Sequence, residues 1–113
     1  MKEMSEGQIT IINSKEEYDD LTSGRSTKGL IVVDFSADWC GPCRQIAPTY
    51  KRLSKEFKKV TFASVDVDEH EDIAEREEVT VMPVFRFYKH GKKIDQVTGG
   101  NKEQLREKLE MYQ

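Results

Sequence analysis

Cys40 and Cys43 are the side chains best suited to chemistry in this sequence, and they are its only cysteines. Gly41 and Pro42 separate them, and an apolar run precedes them, which places the dithiol where a buried strand gives way to a helix. Unpaired N–H groups and the positive end of the helix dipole stabilise a thiolate there. We therefore expect a lowered pKa for Cys40 and a nucleophilic role. Cys43 lies one helical turn further on, close enough to form a disulfide with Cys40.

Two alternatives compete with a redox role for this cysteine pair. A zinc site needs two more ligands at short spacing, and the remaining soft ligands are His70 and His90, far apart from each other in the sequence. An inert buried pair is disfavoured by the Gly-Pro spacer and the adjoining Trp39. The sequence therefore predicts a redox dithiol and no metal site.

Length and composition indicate one domain that occupies residues 8–113 behind a flexible tail at residues 1–7. A chain of 113 residues has no room for a cofactor domain, so redox equivalents must come from a partner. The net charge is −3, and nothing in the charge pattern points to nucleic acid. The sequence begins without the apolar core of a signal peptide and contains no membrane span, so we expect a cytoplasmic protein. Thiols are kept reduced in that compartment.

Strand and helix patterns alternate along the chain. Strands are predicted at residues 8–12, 30–37, 60–67, 84–88 and 93–98. Helices are predicted after the capping box Ser14–Glu17, from Cys43 onwards with a kink at Pro48, after Asp68 as N-cap, and from Asn101 onwards. His70 is expected to be an exposed residue of the third helix. This order predicts an α/β fold with a central mixed sheet that has helices on both faces.

One carboxylate, Asp34, interrupts the otherwise apolar strand that precedes the dithiol. Such a residue either turns outward at the strand end or is buried, and burial would raise its pKa because it disfavours the charged form. We favour the buried position and a functional role.

The segment Trp39-Cys40-Gly41-Pro42-Cys43, which follows Val32-Val33-Asp34-Phe35, resembles the thioredoxin family, and the resemblance extends over residues 8–113. It implies the thioredoxin fold and a protein-disulfide reductase that acts on oxidised proteins. It also implies recycling by thioredoxin reductase, so that NADPH is used only through that partner and the chain needs no cofactor. We expect a monomer.

The resemblance also assigns roles to individual residues. Asp34 would take the proton of Cys43. Pro83 would be cis and pack against the dithiol, with Val81 and Met82 on the rim of a substrate groove. Gly99 would border that groove. Trp39 would pack beside the cysteine pair as an apolar wall; the alternative is that it is an ordinary core residue.

Two residues of the dithiol loop and one departure from the family pattern complete the prediction. Gly41 gives the loop conformational freedom, whereas Pro42 restrains it and has no N–H to donate to the thiolate. Because the reduced form is then less stabilised, the dithiol is a better reductant. Ser64 stands where many bacterial relatives carry a lysine near the buried acid.

A binding module that docks on partners without turnover remains an alternative, because it would use the same groove.

Overall fold

The structure is a computed structural model that describes residues 8–113; the predicted tail at residues 1–7 lies outside the described part. Strands and helices alternate in the predicted order. The strands are β1 Ile9–Ile11, β2 Ile31–Ser36, β3 Thr61–Asp66, β4 Val84–Lys89 and β5 Lys92–Thr98. The helices are α1 Lys15–Thr22, α2 Gly41–Glu56, α3 Glu71–Arg76 and α4 Lys102–Tyr112.

The five strands form one mixed sheet in the order β1-β3-β2-β4-β5, which confirms the predicted fold class. β3 is parallel to both β1 and β2, whereas β4 is antiparallel to β2 and to β5. The central strand β2 buries Ile31, Val32, Val33 and Phe35. Its apolar residues at consecutive positions therefore reflect burial on both faces.

Helices cover both faces of the sheet because successive strand side chains point to opposite sides. On one face, α2 and α4 pack against Val32, Phe62, Phe85 and Phe87. On the other face, Tyr18 of α1 and Ile73 of α3 lie in a second cluster, which contains Val33, Phe35 and Val65. No helix in residues 8–113 combines the length and apolar character that crossing a membrane requires.

Local hydrogen bonds explain where two helices begin. Ser14 Oγ accepts from the backbone N–H of Glu17 at 3.0 Å, which confirms it as the N-cap of α1. The Glu17 carboxylate reaches back one residue further than a standard capping box, to the N–H of Asn13. Asn101 Oδ1 accepts from the N–H of Gln104 and caps α4 in the same way.

The start of α3 differs from the prediction. Asp68 is not its N-cap, because α3 begins at Glu71 and His70 occupies the cap position without a side-chain hydrogen bond to the helix. The His70 prediction was therefore also wrong, since this residue precedes the helix. The Asp68 carboxylate instead accepts a hydrogen bond from the Trp39 indole, a long-range contact that competes with local capping. Pro48 lies within α2, which continues through it as one helix.

Candidate active site

The two cysteines lie at the N-terminus of α2 and form a disulfide, with their Cα atoms 5.2 Å apart. Cys40 is the N-cap residue, and its Sγ accepts a hydrogen bond from the backbone N–H of Cys43 at 3.2 Å. Pro42, in the first turn, has no N–H to offer. The Cys40 sulfur thus has both an N–H donor and the positive end of the helix dipole, the two features that stabilise a thiolate after reduction.

A small apolar cluster surrounds the disulfide. Ala37 and both cysteines are buried together, and Val67 and Met82 pack against them from the end of β3 and from the loop before β4. Met82, which the resemblance implied for the groove rim, therefore lies beside the dithiol.

The loop before β4 is joined to the end of β5. The Met82–Pro83 peptide bond is cis, as expected, and the Pro83 carbonyl accepts from the N–H of Gly99 at 2.7 Å. Gly99 has a φ of +94°, a left-handed conformation that favours glycine. A Cβ placed on the next residue, Gly100, would lie 3.8 Å from the Pro42 side chain. The dithiol turn, the cis-proline loop and the glycine pair are therefore neighbours.

Two exposed apolar residues belong to the predicted groove. Trp39 is 65% exposed and Val81 is 52% exposed. An ordinary core position for Trp39 is therefore wrong. Its Nε1–H donates to Asp68 Oδ2 at 2.9 Å, which orients the indole while leaving much of its surface open. Exposed large apolar side chains are typical of surfaces that bind another protein.

The backbone of Thr80, Val81 and Met82 is free to bind a partner strand. Within residues 8–113, these three residues make no backbone–backbone hydrogen bond. Free N–H and C=O groups beside a reactive disulfide are suited to recognition of an extended polypeptide by strand addition.

Asp34 lies on β2, and its Oδ1 atom is buried with no hydrogen-bond partner among the described residues. Burial raises the pKa of this carboxyl to about 7, and a hydrogen bond with Ser36 opposes the rise only in part. The predicted burial of Asp34 is therefore confirmed for its carboxylate atom Oδ1. Ser64 lies directly opposite Asp34 in the β2–β3 register, so the aligned position carries a hydroxyl and not a charge.

Two open cavities that share part of their lining lie at Asp34 and at Cys43. One, of about 240 Å³, is lined by Asp34 together with Ser36, Ser64 and Ala47. The other, of about 290 Å³, shares those last three residues and is lined by Cys43. Both are large enough for water, and their shared lining carries two hydroxyl groups.

In residues 8–113 no three side chains of the histidine, cysteine, aspartate and glutamate types are grouped so that they could hold a metal ion.

Sequence reasoning missed the role of two residues at this site, Asp68 and Ser36. Asp68 was assigned to a helix cap, although it orients Trp39. Ser36, two residues beyond Asp34 on β2, partly opposes the rise in the Asp34 pKa and, like Ser64, borders both cavities. The alternation of β2 was the available signal for Ser36, because residues two apart in a strand share a face.

Comparison with known proteins shows which family this chain resembles. A family model described as Thioredoxin matches residues 9–111. Thioredoxin 1 of Plasmodium falciparum is 41% identical over 104 residues, which cover 92% of this chain and 97% of the relative. Thioredoxin H-type of Ricinus communis is 47% identical over 105 residues, covering 92% and 89%. The solved structure of Fasciola hepatica thioredoxin matches with a TM-score of 0.88 at 42% identity, covering 93% of this chain and 100% of that one.

The fold and the paired cysteines make this chain a thiol–disulfide oxidoreductase. More particularly, it belongs to the thioredoxin family, since the match extends over nearly the whole chain. Family membership implies protein substrates and a reductase partner in general terms.

Proposed function

We propose that this protein is a cytoplasmic, monomeric reductase of disulfides in other proteins, and that thioredoxin reductase returns it to the dithiol form at the expense of NADPH. It needs no metal or cofactor of its own, and it acts on neither nucleic acid nor membranes. The observation that carries the proposal is the Cys40–Cys43 disulfide at the N-terminus of α2, beside a cis-proline loop with free backbone groups.

The reaction begins with the dithiol form. The Cys40 thiolate attacks one sulfur of the target disulfide, which forms a mixed disulfide and releases the other target sulfur as a thiolate. Cys43 then loses its proton and attacks Cys40 Sγ. The mixed disulfide breaks, the second target sulfur leaves as a thiolate, and the Cys40–Cys43 disulfide remains. The target gains two electrons, and two electrons from NADPH restore the dithiol through the reductase.

Asp34 is proposed as the group that accepts the Cys43 proton. A pKa of about 7 lets this carboxyl gain and lose a proton near neutral pH. One hydroxyl-lined cavity adjoins Asp34 and the other adjoins Cys43, and water in these two cavities is proposed to carry the proton between the two residues. In Asp34→Asn we expect slower release of the reduced target with little effect on the first attack. Equal slowing of both steps would refute this role.

Substrate recognition is assigned to the groove formed by Trp39, Val81, Met82, Pro83 and Gly99. An extended segment of the target would pair with the free backbone before Pro83 and lie against the exposed indole. This arrangement would bring the target disulfide next to Cys40 without requiring a particular target sequence.

A coupled assay tests the proposed reaction. Wild-type protein is mixed with NADPH, a thioredoxin reductase and insulin, and NADPH oxidation is followed. We expect repeated turnover that requires all four components. Absence of turnover, in protein that still binds partners without a covalent bond, would support the binding-module alternative and refute the reductase.

A further inference from the structure

A single arginine on β4 lies in the apolar layer between the sheet and helices α1 and α3. Arg86 follows Val84 and precedes Tyr88 on the same face of the strand, and both neighbours belong to the second core cluster. Only 8% of the Arg86 side chain is exposed. A buried guanidinium loses hydration, so its position requires several partners with good geometry.

The guanidinium has those partners, and two of its contacts are with one residue. Nη1 donates to Glu77 Oε1 at 3.0 Å, and Nη2 donates to the Glu77 backbone carbonyl at 2.6 Å. Nε donates to Gln96 Oε1 at 2.8 Å on the neighbouring strand β5. The guanidinium carbon lies 5.2 Å from the centre of the Phe35 ring on β2, within the range of a cation–π contact.

Glu77 is the point at which α3 ends and the loop toward Pro83 begins. The Glu77 carbonyl that Arg86 holds belongs to the peptide bond leading to Glu78. Glu78 has a φ of +58°, a left-handed conformation that is uncommon for a residue with a side chain and persists where its surroundings fix it. Arg86 therefore holds the chain at the residue before this reversal.

The loop beyond this point has few other restraints. Val79 donates to the Ala74 carbonyl at 2.9 Å, and Pro83 is tied to Gly99, but Thr80, Val81 and Met82 make no backbone–backbone bond within the described residues. The free groups that suit a substrate strand therefore belong to a segment that is held at its two ends. Arg86 clamps the helix end of that segment.

We propose that Arg86 is a positioning residue that sets the affinity for protein disulfides by holding the loop between Glu77 and Pro83 in its binding conformation. This inference rests on the proposed reductase function and assigns one determinant of its substrate groove. Without the clamp, a target would have to order the loop when it binds, and the cost would appear as weaker binding. Neither Arg86 nor Glu77 belongs to the cluster around the disulfide, so we expect the intrinsic reactivity of the dithiol to stay the same.

The test compares a protein disulfide with a small one in single turnover. Protein reduced with dithiothreitol and desalted is mixed with excess insulin or with bis(2-hydroxyethyl) disulfide, and acid quenching followed by thiol alkylation measures formation of the Cys40–Cys43 disulfide. For Arg86→Met we expect the half-saturating insulin concentration to rise about tenfold, with the limiting rate within about twofold of wild type. The rate with the small disulfide should also stay within about twofold, because that probe does not use the loop.

Gln96→Met is the matched control. It removes the partner of Arg86 on β5 and leaves an unpaired N–H in the same buried cluster, but it keeps both contacts with Glu77. We expect near wild-type half-saturation by insulin for this variant. Arg86→Lys, which can restore one donor but not the forked contact, should lie between wild type and Arg86→Met.

Several results would overturn the proposal. They are an unchanged half-saturating insulin concentration in folded Arg86→Met, an equal rise in Gln96→Met, or a parallel loss of rate with the small disulfide. If Arg86→Met does not fold, Glu77→Ala removes the carboxylate contacts with both Arg86 and Arg76 and must raise the same concentration, and an unchanged value would refute the clamp. Failure of the wild type to reduce insulin would refute the reductase function itself, separately from the role of Arg86.

Discussion

The buried carboxyl of Asp34 should make the oxidised protein less stable as the pH rises, and Asp34→Asn should remove that dependence. Burial raises the pKa of Asp34 from its ordinary 3.8 to about 7 in the folded state. A tenfold change in an ionisation constant is worth about 1.4 kcal/mol, so ionising this group costs the folded protein about 4 kcal/mol. Below pH 3.8 the carboxyl is protonated in both states, and the cost is absent.

The direction of this pH dependence follows from the number of protons that the folded and unfolded states bind. Between pH 3.8 and about 7 the unfolded chain has released the Asp34 proton while the folded protein retains it, so the free energy of unfolding falls as the pH rises. The asparagine side chain of the variant does not titrate. The stability gained by Asp34→Asn should therefore grow by about 4 kcal/mol between about pH 4 and pH 8, and level off above about pH 8.

Urea unfolding of the oxidised wild type and variant, at half-unit pH intervals, measures this difference directly. Differences between two variants of one protein cancel the titration of the groups that they share. Asp38→Asn, four residues further on and exposed, reports the effect of removing one surface carboxylate from the same segment. Wild-type and Asp34→Asn stabilities that stay parallel from pH 4 to pH 8 would refute the raised pKa and, with it, the basis of the proton-transfer role.

Two further predictions concern the scaffold. The pKa of Asp95 is lowered to about 2, mainly by its hydrogen bond with Lys108 and next by that with Tyr112. Asp95→Asn should therefore lower the free energy of unfolding by about 1 kcal/mol at pH 7, and this loss should shrink as the pH falls from about 4 towards 2. Urea unfolding at pH 7 and pH 3 measures it, and an equal loss at both would contradict the ion pair. Gly91→Ala should cost about 1–3 kcal/mol because Gly91 has a φ of +78° and an added Cβ would lie 2.7 Å from the Ser23 carbonyl oxygen. A thermal midpoint equal to that of wild type would contradict this.

Patterns that repeat within one element predicted most of the fold. The largely apolar run of β2, interrupted by Asp34, indicated burial on both faces, and the capping signals at Ser14 and Asn101 marked two helix starts correctly. These features depend on neighbours a few residues apart. The same local reasoning failed at Asp68, because its partner is Trp39, 29 residues away, and no local pattern encodes that contact.

Only part of the site could be predicted from the residues themselves. Spacing alone indicated the dithiol, but the cis peptide at Pro83 came from the family resemblance, since most bonds before proline are trans. Arg86 was overlooked although it interrupts an apolar strand as Asp34 does. A lone charge in a buried strand signals a buried partner, but the sequence does not tell which of its many acidic residues, here Glu77, supplies it.

Trapping of the covalent intermediate tests the central chemistry most directly. Cys43→Ser, reduced and then incubated with oxidised insulin, should accumulate a mixed disulfide through Cys40 that dithiothreitol releases, and peptide mapping by mass spectrometry identifies the linked residue. Cys40→Ser, the matched control, should trap little, because Cys43 is one turn inside the helix and lacks the N-cap position. Equal trapping by both variants, or a mixed disulfide found only on Cys43, would contradict the assignment of Cys40 as the attacking sulfur.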